Sequence, residues 1–408
     1  MRKGLIALLV TLTACASAAP PPGGPEDKAP PMLVKAEPDT NALNVTAANA
    51  SFYFDETIND RGSGAQEVDA YFLLSPSDGA PHVSWHRKRI DIRPRHGFRP
   101  NTAYVITMLP GLSDLSSNKM KTGTTLVFST GPTIPKERIT GTAFDWGSER
   151  PAPSALIEAV TPDSIIYLAQ ADSLGHFVVG PLPAGSYLLR ATIDQNGNRN
   201  ADRSEATDTV RITVPQAAPA ELLTAVRDTL PARILTVAIT DSVTLNVTFD
   251  RALEPAQPIA SSFFRLKSAD SADVPLLRAM SPAQVKIQDS IATKTKADSA
   301  RRADSLAGKP APPATPPAQV APGGKAPPPP PPKPSRAPPF TAVVLKLTRP
   351  LAPNTPYRLS VSGIKGLSGR EQPSDRTFTT PKAPTPAKPD SAKPPATPAP
   401  RPAAPPRR

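Results

Sequence analysis

The chain has 408 residues, 56 prolines and a formal net charge of +12. Residues 285–339 carry +6, residues 381–408 carry +5 and the first three residues carry +2, which leaves the remainder at −1. Nucleic-acid binding needs a basic folded face or basic segments with stacking aromatics, and the two long basic segments contain no aromatic residue. The composition therefore excludes a nucleic-acid partner and favours anionic lipid head groups or acidic wall polymers.

The amino terminus predicts an export signal. Cations at positions 2 and 3 precede an apolar run over 5–12, which is shorter than the roughly 20 residues of a spanning helix. The run ends at Leu12-Thr13-Ala14-Cys15, which contains the only cysteine of the chain. This ending resembles the lipobox of bacterial lipoproteins, and an ordinary signal with a chance cysteine is the alternative. The resemblance implies that residues 1–14 are removed, that Cys15 is lipidated and acylated at its new amino terminus, and that Ala16 directs the protein to the outer membrane.

Residues 15–31 are rich in proline and glycine and lack periodicity. Such a segment predicts an extended tether, and at about 3.1 Å per residue it spans roughly 50 Å.

Residues 32–132 show short alternating apolar runs between turn residues. Phe52 and Phe54 fall on one face of one predicted strand, and Ile90 and Ile92 on one face of another. Several such strands within about 100 residues are typical of a β-sandwich.

An internal repeat indicates a second copy of this domain. Four short motifs recur in the same order, which is hard to obtain by chance. They pair residues 54–58 with 249–253, 99–104 with 352–357, 111–113 with 366–368, and 128–130 with 378–380.

Both copies resemble the bacterial Ig-like domain of surface-layer and other envelope proteins. The resemblance rests on a proline pair, a Glu-Pro turn, a Pro-Asn-Thr-x-Tyr motif, a Gly-Leu-x-Asp-x-x-x-Asn turn and a closing Phe-Ser/Thr-Thr strand, at positions 30–31, 37–38, 100–104, 111–118 and 128–130 of the first copy. It implies Ig-like sandwiches over 32–132 and over 230–285 with 340–381. The second copy has Arg251 at the position of Glu56 and Gly369 at the matched position of Asp114, so a ligand role of these acids is confined to the first copy.

Residues 286–339 interrupt the second copy, and residues 382–408 follow it. Both segments are rich in proline and bury too little apolar surface to offset the entropy of ordering. They are predicted to be disordered, as an insertion and a basic tail, with a stretch over 297–306 that forms either a helix or no regular structure.

Residues 136–215 form a third β unit. Its Gly-x-Phe, Leu-Pro-x-Gly-x-Tyr and following apolar strand, over 175–191, resemble the transthyretin-like (carboxypeptidase-regulatory-like) sandwich. The resemblance implies a spacer or accessory domain.

One loop of this unit suggests a calcium site. Oxygen-bearing side chains fall at positions 1, 3, 5, 9 and 12 of the segment 194–205, which is close to EF-hand spacing. Its sixth position is Arg199 rather than glycine. The alternative is a hairpin whose polar side chains bond their own backbone. The predicted ligands are Asp194, Asn196, Asn198, Asp202 and Glu205.

A cationic cluster near Trp85 suggests an anion- or glycan-contacting patch, and the alternative is a solvated sheet face. His82 and His86 lie beside it without a third metal ligand. The patch comprises Arg87, Lys88, Arg89 and Arg93.

The sequence contains no nucleophile elbow, zinc-protease motif or phosphate-binding glycine loop. It therefore predicts an all-β protein of three consecutive sandwiches, not an enzyme, with no cofactor other than a possible Ca²⁺. The predicted function is that of a non-catalytic, lipid-anchored cell-envelope structural or interaction protein whose Ig-like domains are spacers or binding modules. The alternative is a glycan- or peptide-binding envelope lipoprotein that uses calcium.

Overall fold

The computed structural model describes residues 26–61, 67–306 and 331–382, apart from the side chains at 297 and 300–306. Cys15, most of the tether and the tail beyond 382 lie outside the described residues. The chain divides into two compact units, residues 1–145 with 150–225 and residues 146–149 with 226–408. In the described part, none of the helices has the length and apolar character needed to cross a membrane.

The first sandwich packs a four-stranded sheet of order β1-β2-β5-β4 on a three-stranded sheet of order β3-β6-β7. Apolar residues alternate toward a core in which Phe52, Phe72 and Phe128 are fully buried. A 3-10 helix at Val68–Tyr71 leads into β3. The strands are β1 (Leu33–Glu37), β2 (Ala50–Phe54), β3 (Phe72–Ser75), β4 (His82–His86), β5 (Arg89–Arg93), β6 (Ala103–Met108) and β7 (Thr124–Ser129).

The middle sandwich is one eight-stranded sheet of order β11-β10-β13-β14-β15-β8-β12, with β9 paired to β8. Its end strands β11 and β12 lie against each other, so the sheet folds around its own core. β15 pairs in parallel with β8, so this sandwich extends past residue 215, the boundary expected from the sequence. The strands are β8 (Glu137–Asp145), β9 (Arg150–Pro151), β10 (Leu156–Val160), β11 (Ile166–Gln170), β12 (His176–Leu182), β13 (Gly185–Thr192), β14 (Ala206–Val214) and β15 (Ala220–Val226).

The third sandwich along the chain is the second copy of the repeat and is called the second sandwich here. It repeats the layout of the first, with sheets of order β16-β17-β21-β20 and β19-β18-β22-β23. A 3-10 helix at Ser261–Phe263 again precedes a strand, here β18 of the second of these sheets. The all-β prediction is confirmed. The strands are β16 (Ile234–Asp241), β17 (Thr244–Leu253), β18 (Phe264–Ser268), β19 (Asp273–Val274), β20 (Leu276–Met280), β21 (Phe340–Leu347), β22 (Pro356–Val361) and β23 (Ser374–Thr379).

The Pro-Asn-Thr-x-Tyr motif makes the same hydrogen bonds in both copies. The Tyr104 hydroxyl accepts from the Arg99 N–H at 2.7 Å, and the Tyr357 hydroxyl accepts from the Ala352 N–H at 2.9 Å. The asparagine before the threonine has φ 51° in each copy, at Asn101 and at residue 354. The motif is therefore a structural corner whose polar groups are used by the fold itself.

The structure corrects the register of one repeat, because it places Gly366, and not Gly369, at the position of Asp114. Asp114 bridges to Ile58, and Gly366 bridges to Leu253, which is the repeat partner of Ile58. The N–H groups of Asp114 and Gly366 also donate to the carbonyl four residues later, at 3.2 Å in both.

Gly111 consequently corresponds to Gly363 rather than to Gly366. Both have positive φ, 116° and 78°, and a Cβ on either would meet the aromatic ring of the preceding 3-10 helix, Tyr71 at 2.7 Å or Phe263 at 3.2 Å. The second copy has glycines at 363, 366 and 369, so the sequence alone allows more than one alignment.

Part of the insertion is helical, which corrects the prediction of disorder over 286–296 and agrees with the helix alternative over 297–306. Helix α1 spans Pro282–Leu306. The Ser281 N–H donates to Gln284 Oε1 at 2.8 Å and the Gln284 N–H donates to Ser281 Oγ at 3.4 Å, which forms a reciprocal capping box around a proline at the first helical position. Residues 283–306 contain no proline, and together with the capping box this permits a helix. The segment lacks an amphipathic pattern, so its apolar residues alone do not predict the helix. Residues 331–339 are irregular, and residues 307–330 lie outside the described residues.

Candidate functional site

Three carboxylates of the first sandwich converge at one end of its sheets. Asp27 precedes β1, Glu56 follows β2, and Asp114 lies in the turn after β6. Their oxygen atoms lie within 4.8 Å of one another, and Asp114 is 1% exposed. Carboxylate oxygens are ligands of hard cations, so these residues could hold a divalent cation. The sequence singled out Glu56 and Asp114 but missed Asp27, which no spacing rule connects to them.

Asn118 holds two of the acids of the cluster in place, and the neighbouring carboxylates disfavour the charged form of Glu56. The Asn118 N–H and Nδ2 donate to the two carboxylate oxygens of Asp114, each at 2.7 Å, and Nδ2 also donates to the Asp27 carbonyl at 3.0 Å. Burial raises the pKa of Glu56, and the charges of Asp114, Asp27 and Asp55 raise it further.

The second sandwich has an arginine at the position that Glu56 occupies in the first. The Met32 N–H donates to Asp55 Oδ1 and the Arg233 N–H donates to the equivalent Asp250, both at 2.7 Å. Asp27 lies five residues before Met32, and Asp228 lies five residues before Arg233, so Asp27 and Asp228 occupy equivalent positions in the two copies.

The residue at the position of Glu56 is Arg251, and Arg251 forms an ion pair with Asp228. The hydrogen bond from Arg251 lowers the pKa of Asp228. The second copy therefore places a guanidinium, with Gly366 nearby, where the first copy gathers three acids.

This difference predicts that Glu56→Gln stabilises the first sandwich. The folded-state pKa of Glu56 is raised, so the charged form costs stability above that pKa, and the cost vanishes as the pH falls below the unfolded value of about 4. We expect a gain below about 1 kcal/mol at pH 7 that disappears near pH 4. Urea unfolding in the presence of a chelator measures it. Glu67→Gln, an exposed carboxylate of the same sandwich, is the control, and equal gains at both positions contradict the prediction.

The 194–205 loop has the geometry of the hairpin alternative. Asp194 accepts from the N–H groups of Gly197 and Arg199, both at 2.8 Å. Glu205 accepts from the N–H groups of Gln195 and Asp202, at 3.0 and 3.1 Å.

The remaining predicted ligands are also bonded within the loop. Asp202 Oδ2 accepts from the side-chain amides of Asn196 and Asn198, at 2.7 and 3.0 Å. The Asn196 side-chain oxygen accepts from the Asn198 N–H at 2.9 Å. The predicted ligands therefore face hydrogen-bond donors of their own loop, and calcium binding here stays a prediction.

Comparison with known proteins identifies the first sandwich. Residues 27–130 match the family model of the bacterial Ig-like domain. The first sandwich is a bacterial Ig-like domain. The matched segment includes all three acids of the cluster and the Tyr104 corner of the Ig-like domain. A search of curated proteins found no match.

Solved structures give only distant overlaps. The S-layer protein rSbsC(31-844) is 10% identical with a TM-score of 0.19 over 86% of this chain and 41% of its own, and a structure of SbsC domains 1-6 is 10% identical with a TM-score of 0.19 over 86% and 40%. Protocadherin gamma B2 cadherin domains 3-6 are 9% identical with a TM-score of 0.15 over 88% and 79%. The chain spans about two fifths of the length of the S-layer chains, and overlaps at this level carry no functional assignment.

The predicted cationic patch lies on the β4–β5 hairpin of the Ig-like domain, and two of its four cations have partners. Arg89 Nε lies 3.1 Å from Asp91 Oδ1. Lys88 Nζ donates to the Asp55 carbonyl at 2.6 Å. Arg87 forms the positive-φ turn, with φ 59°, and Arg93 ends β5. Anion binding by this patch stays a prediction.

A serine, an aspartate and a histidine meet on the same sheet face without forming a nucleophilic triad. The Ser51 hydroxyl donates to Asp91 Oδ1 at 2.7 Å, and His86 Nε2 lies 3.3 Å from Asp91 Oδ2. A triad needs the histidine between the nucleophile and the carboxylate, whereas here the carboxylate lies between them. Ser51 therefore has no histidine bonded to its hydroxyl in this arrangement.

Proposed function

We propose that this chain is a lipid-anchored cell-envelope protein that works without catalysis, with its sandwiches as spacers between the membrane and the wall layer. The observation that carries the proposal is the bacterial Ig-like domain, which begins at residue 27, after a lipobox-like Cys15. The motif side chains of this domain, such as Tyr104, bond to backbone groups of their own corner. These residues therefore support a structural role rather than a reaction.

The proposal assigns attachment to the ends of the chain. Lipid at Cys15 would hold the protein at the outer membrane, and the basic segment 381–408 would contact anionic wall polymers. A transthyretin-like middle sandwich would extend the spacer. Residues 16–284 with 340–380 carry only −1, and this nearly neutral balance supports the division of roles, because long-range attraction to polyanions requires net positive charge.

Lipidation is tested by palmitate labelling and membrane fractionation of the wild type and Cys15→Ala. We expect label and membrane association in the wild type and loss of both in the variant, because no other thiol exists. Ser17→Ala, which leaves the cysteine and its preceding residues intact, is the matched control. An unlabelled wild type overturns the anchor.

A second candidate is a glycan- or peptide-binding envelope lipoprotein that uses calcium, and the Asp27, Glu56 and Asp114 cluster favours it. Co-sedimentation with isolated peptidoglycan separates the candidates. Binding that is lost on removal of 383–408 supports the basic tail as the contact. Binding that survives this removal and is abolished by a calcium chelator supports the second candidate.

A further inference from the structure

The 194–205 loop reaches across to the Ig-like domain within the first unit. The Arg199 guanidinium donates to the carbonyls of Phe72 at 2.8 Å, Ala70 at 2.5 Å and Asp69 at 3.3 Å. These carbonyls belong to the 3-10 helix and to its carboxyl end. The last carbonyls of a helix lack partners within it, so one planar side chain supplies donors to the Ala70 and Phe72 carbonyls and adds a second donor to the Asp69 carbonyl, which also accepts from the Phe72 N–H.

The internal bonds of the loop fix the position of Arg199. Asp194 accepts from the Arg199 N–H and from the Gly197 N–H on the other side of the turn. Arg199 has φ 59°, a left-handed conformation that these bonds hold in place. Glu205 is 3% exposed and closes the base of the loop. Asp194, one of the predicted calcium ligands, therefore helps to orient the Arg199 guanidinium.

Two further hydrogen bonds join the same domains. The Leu168 N–H donates to Ser75 Oγ at 3.0 Å, and the Ser77 N–H donates to the Ile166 carbonyl at 2.7 Å. They connect the end of β3 and the residues after it to the edge strand β11. These two hydrogen bonds therefore connect the Ig-like domain and the middle sandwich in addition to the Arg199 contacts.

Apolar side chains outside both cores are buried beside these bonds. Leu73 is 3% exposed although its neighbours Phe72 and Leu74 are the residues of β3 that face the core. Leu156 is 4% exposed although its neighbour Ile157 faces the core of the middle sandwich. Since strand neighbours point to opposite faces, Leu73 and Leu156 are covered from outside their own sandwiches, and both line one cleft with Arg199.

We infer that the 194–205 loop is an interaction surface whose partner is the Ig-like domain of the same chain, and that Arg199 is the positioning residue that joins the two sandwiches into one rigid body. The inference goes beyond the proposed function and does not depend on the lipid anchor. A rigid pair transmits a fixed orientation from the tether to the rest of the chain. It also gives the loop a role that needs no metal.

Hydrogen exchange of the full-length protein, followed by mass spectrometry, tests the inference at the interface amides. We expect Arg199→Ala to speed the exchange of the Ser77 and Leu168 amides about tenfold, with the core strands β2 and β13 unchanged. Arg203→Ala is the matched control, because Arg203 lies in the same loop and is exposed. Its exchange is expected to equal that of the wild type.

Arg199→Lys separates the planar donor fork from charge alone. An ammonium cannot reproduce the fork geometry of a guanidinium, so we expect a smaller but definite acceleration of the same two amides. Unchanged exchange in Arg199→Ala overturns the inference. Faster exchange throughout both sandwiches also overturns it, since Arg199 would then support folding rather than the interface.

Discussion

Phe128→Ala should lower the free energy of unfolding of the Ig-like domain by about 3–5 kcal/mol. Phe128 is fully buried. Its ring lies 5.9 Å from that of Tyr104 and 5.3 Å from that of Phe98, measured between centroids. Truncation removes these contacts and leaves a cavity between the two sheets, which relaxes only partly in a close-packed core.

The internal repeat supplies the matched comparison. Phe378 is the repeat partner of Phe128 and stacks on Tyr357 at 5.8 Å, but it is only partly buried. We expect Phe378→Ala to cost the second sandwich about half as much, because less apolar area returns to water. Urea dependence of hydrogen exchange at β6 and β22 measures both sandwiches in one full-length sample. Equal losses in the two copies contradict the prediction.

Gly141→Ala should destabilise the middle sandwich by about 3 kcal/mol. Gly141 in β8 lies between Phe177 of β12 and Ala220 of β15. A Cβ at this position would stand 2.4 Å from the Ala220 carbonyl oxygen and 2.5 Å from Phe177 Cζ. The Ala220 backbone cannot move without disturbing the parallel pairing of β15, so the clash is not absorbed by a side-chain rotation.

Thr140→Ala is the control for Gly141→Ala. Thr140 is exposed on the same strand, and its truncation brings no atom toward a neighbouring backbone, so we expect a change below about 0.5 kcal/mol. Hydrogen exchange of β8 and β15 reports both variants. A Gly141→Ala protein with wild-type protection of β15 contradicts the predicted clash.

Alternating apolar residues were enough to predict several strands of the Ig-like domain, β2 and β5 among them. The pattern around Phe52 and Ile90 survives in the structure because burial of one sheet face sets the strand period. The internal repeat likewise predicted the shared corner of Tyr104 and Tyr357, since both motifs satisfy their own backbone groups locally.

Local sequence was not enough where several choices satisfy the same pattern. The glycines near Gly366 allowed a register error of three residues, which strand pairing corrected. The capping box at Ser281 begins a helix that a proline-rich composition concealed.

The sequence by itself therefore determined the β class and the duplication, because strand alternation and the repeated motifs are each patterns of residues close together in the chain; the attachment chemistry of Cys15 stays a prediction. Only the tertiary structure decided which distant side chains meet. It brought Asp27 to Glu56 and Asp114, and it joined the Asp194 carboxylate to the backbone N–H of Arg199. The physical reason is that the partners of a polar side chain depend on how the strands and sandwiches pack, which local periodicity does not encode.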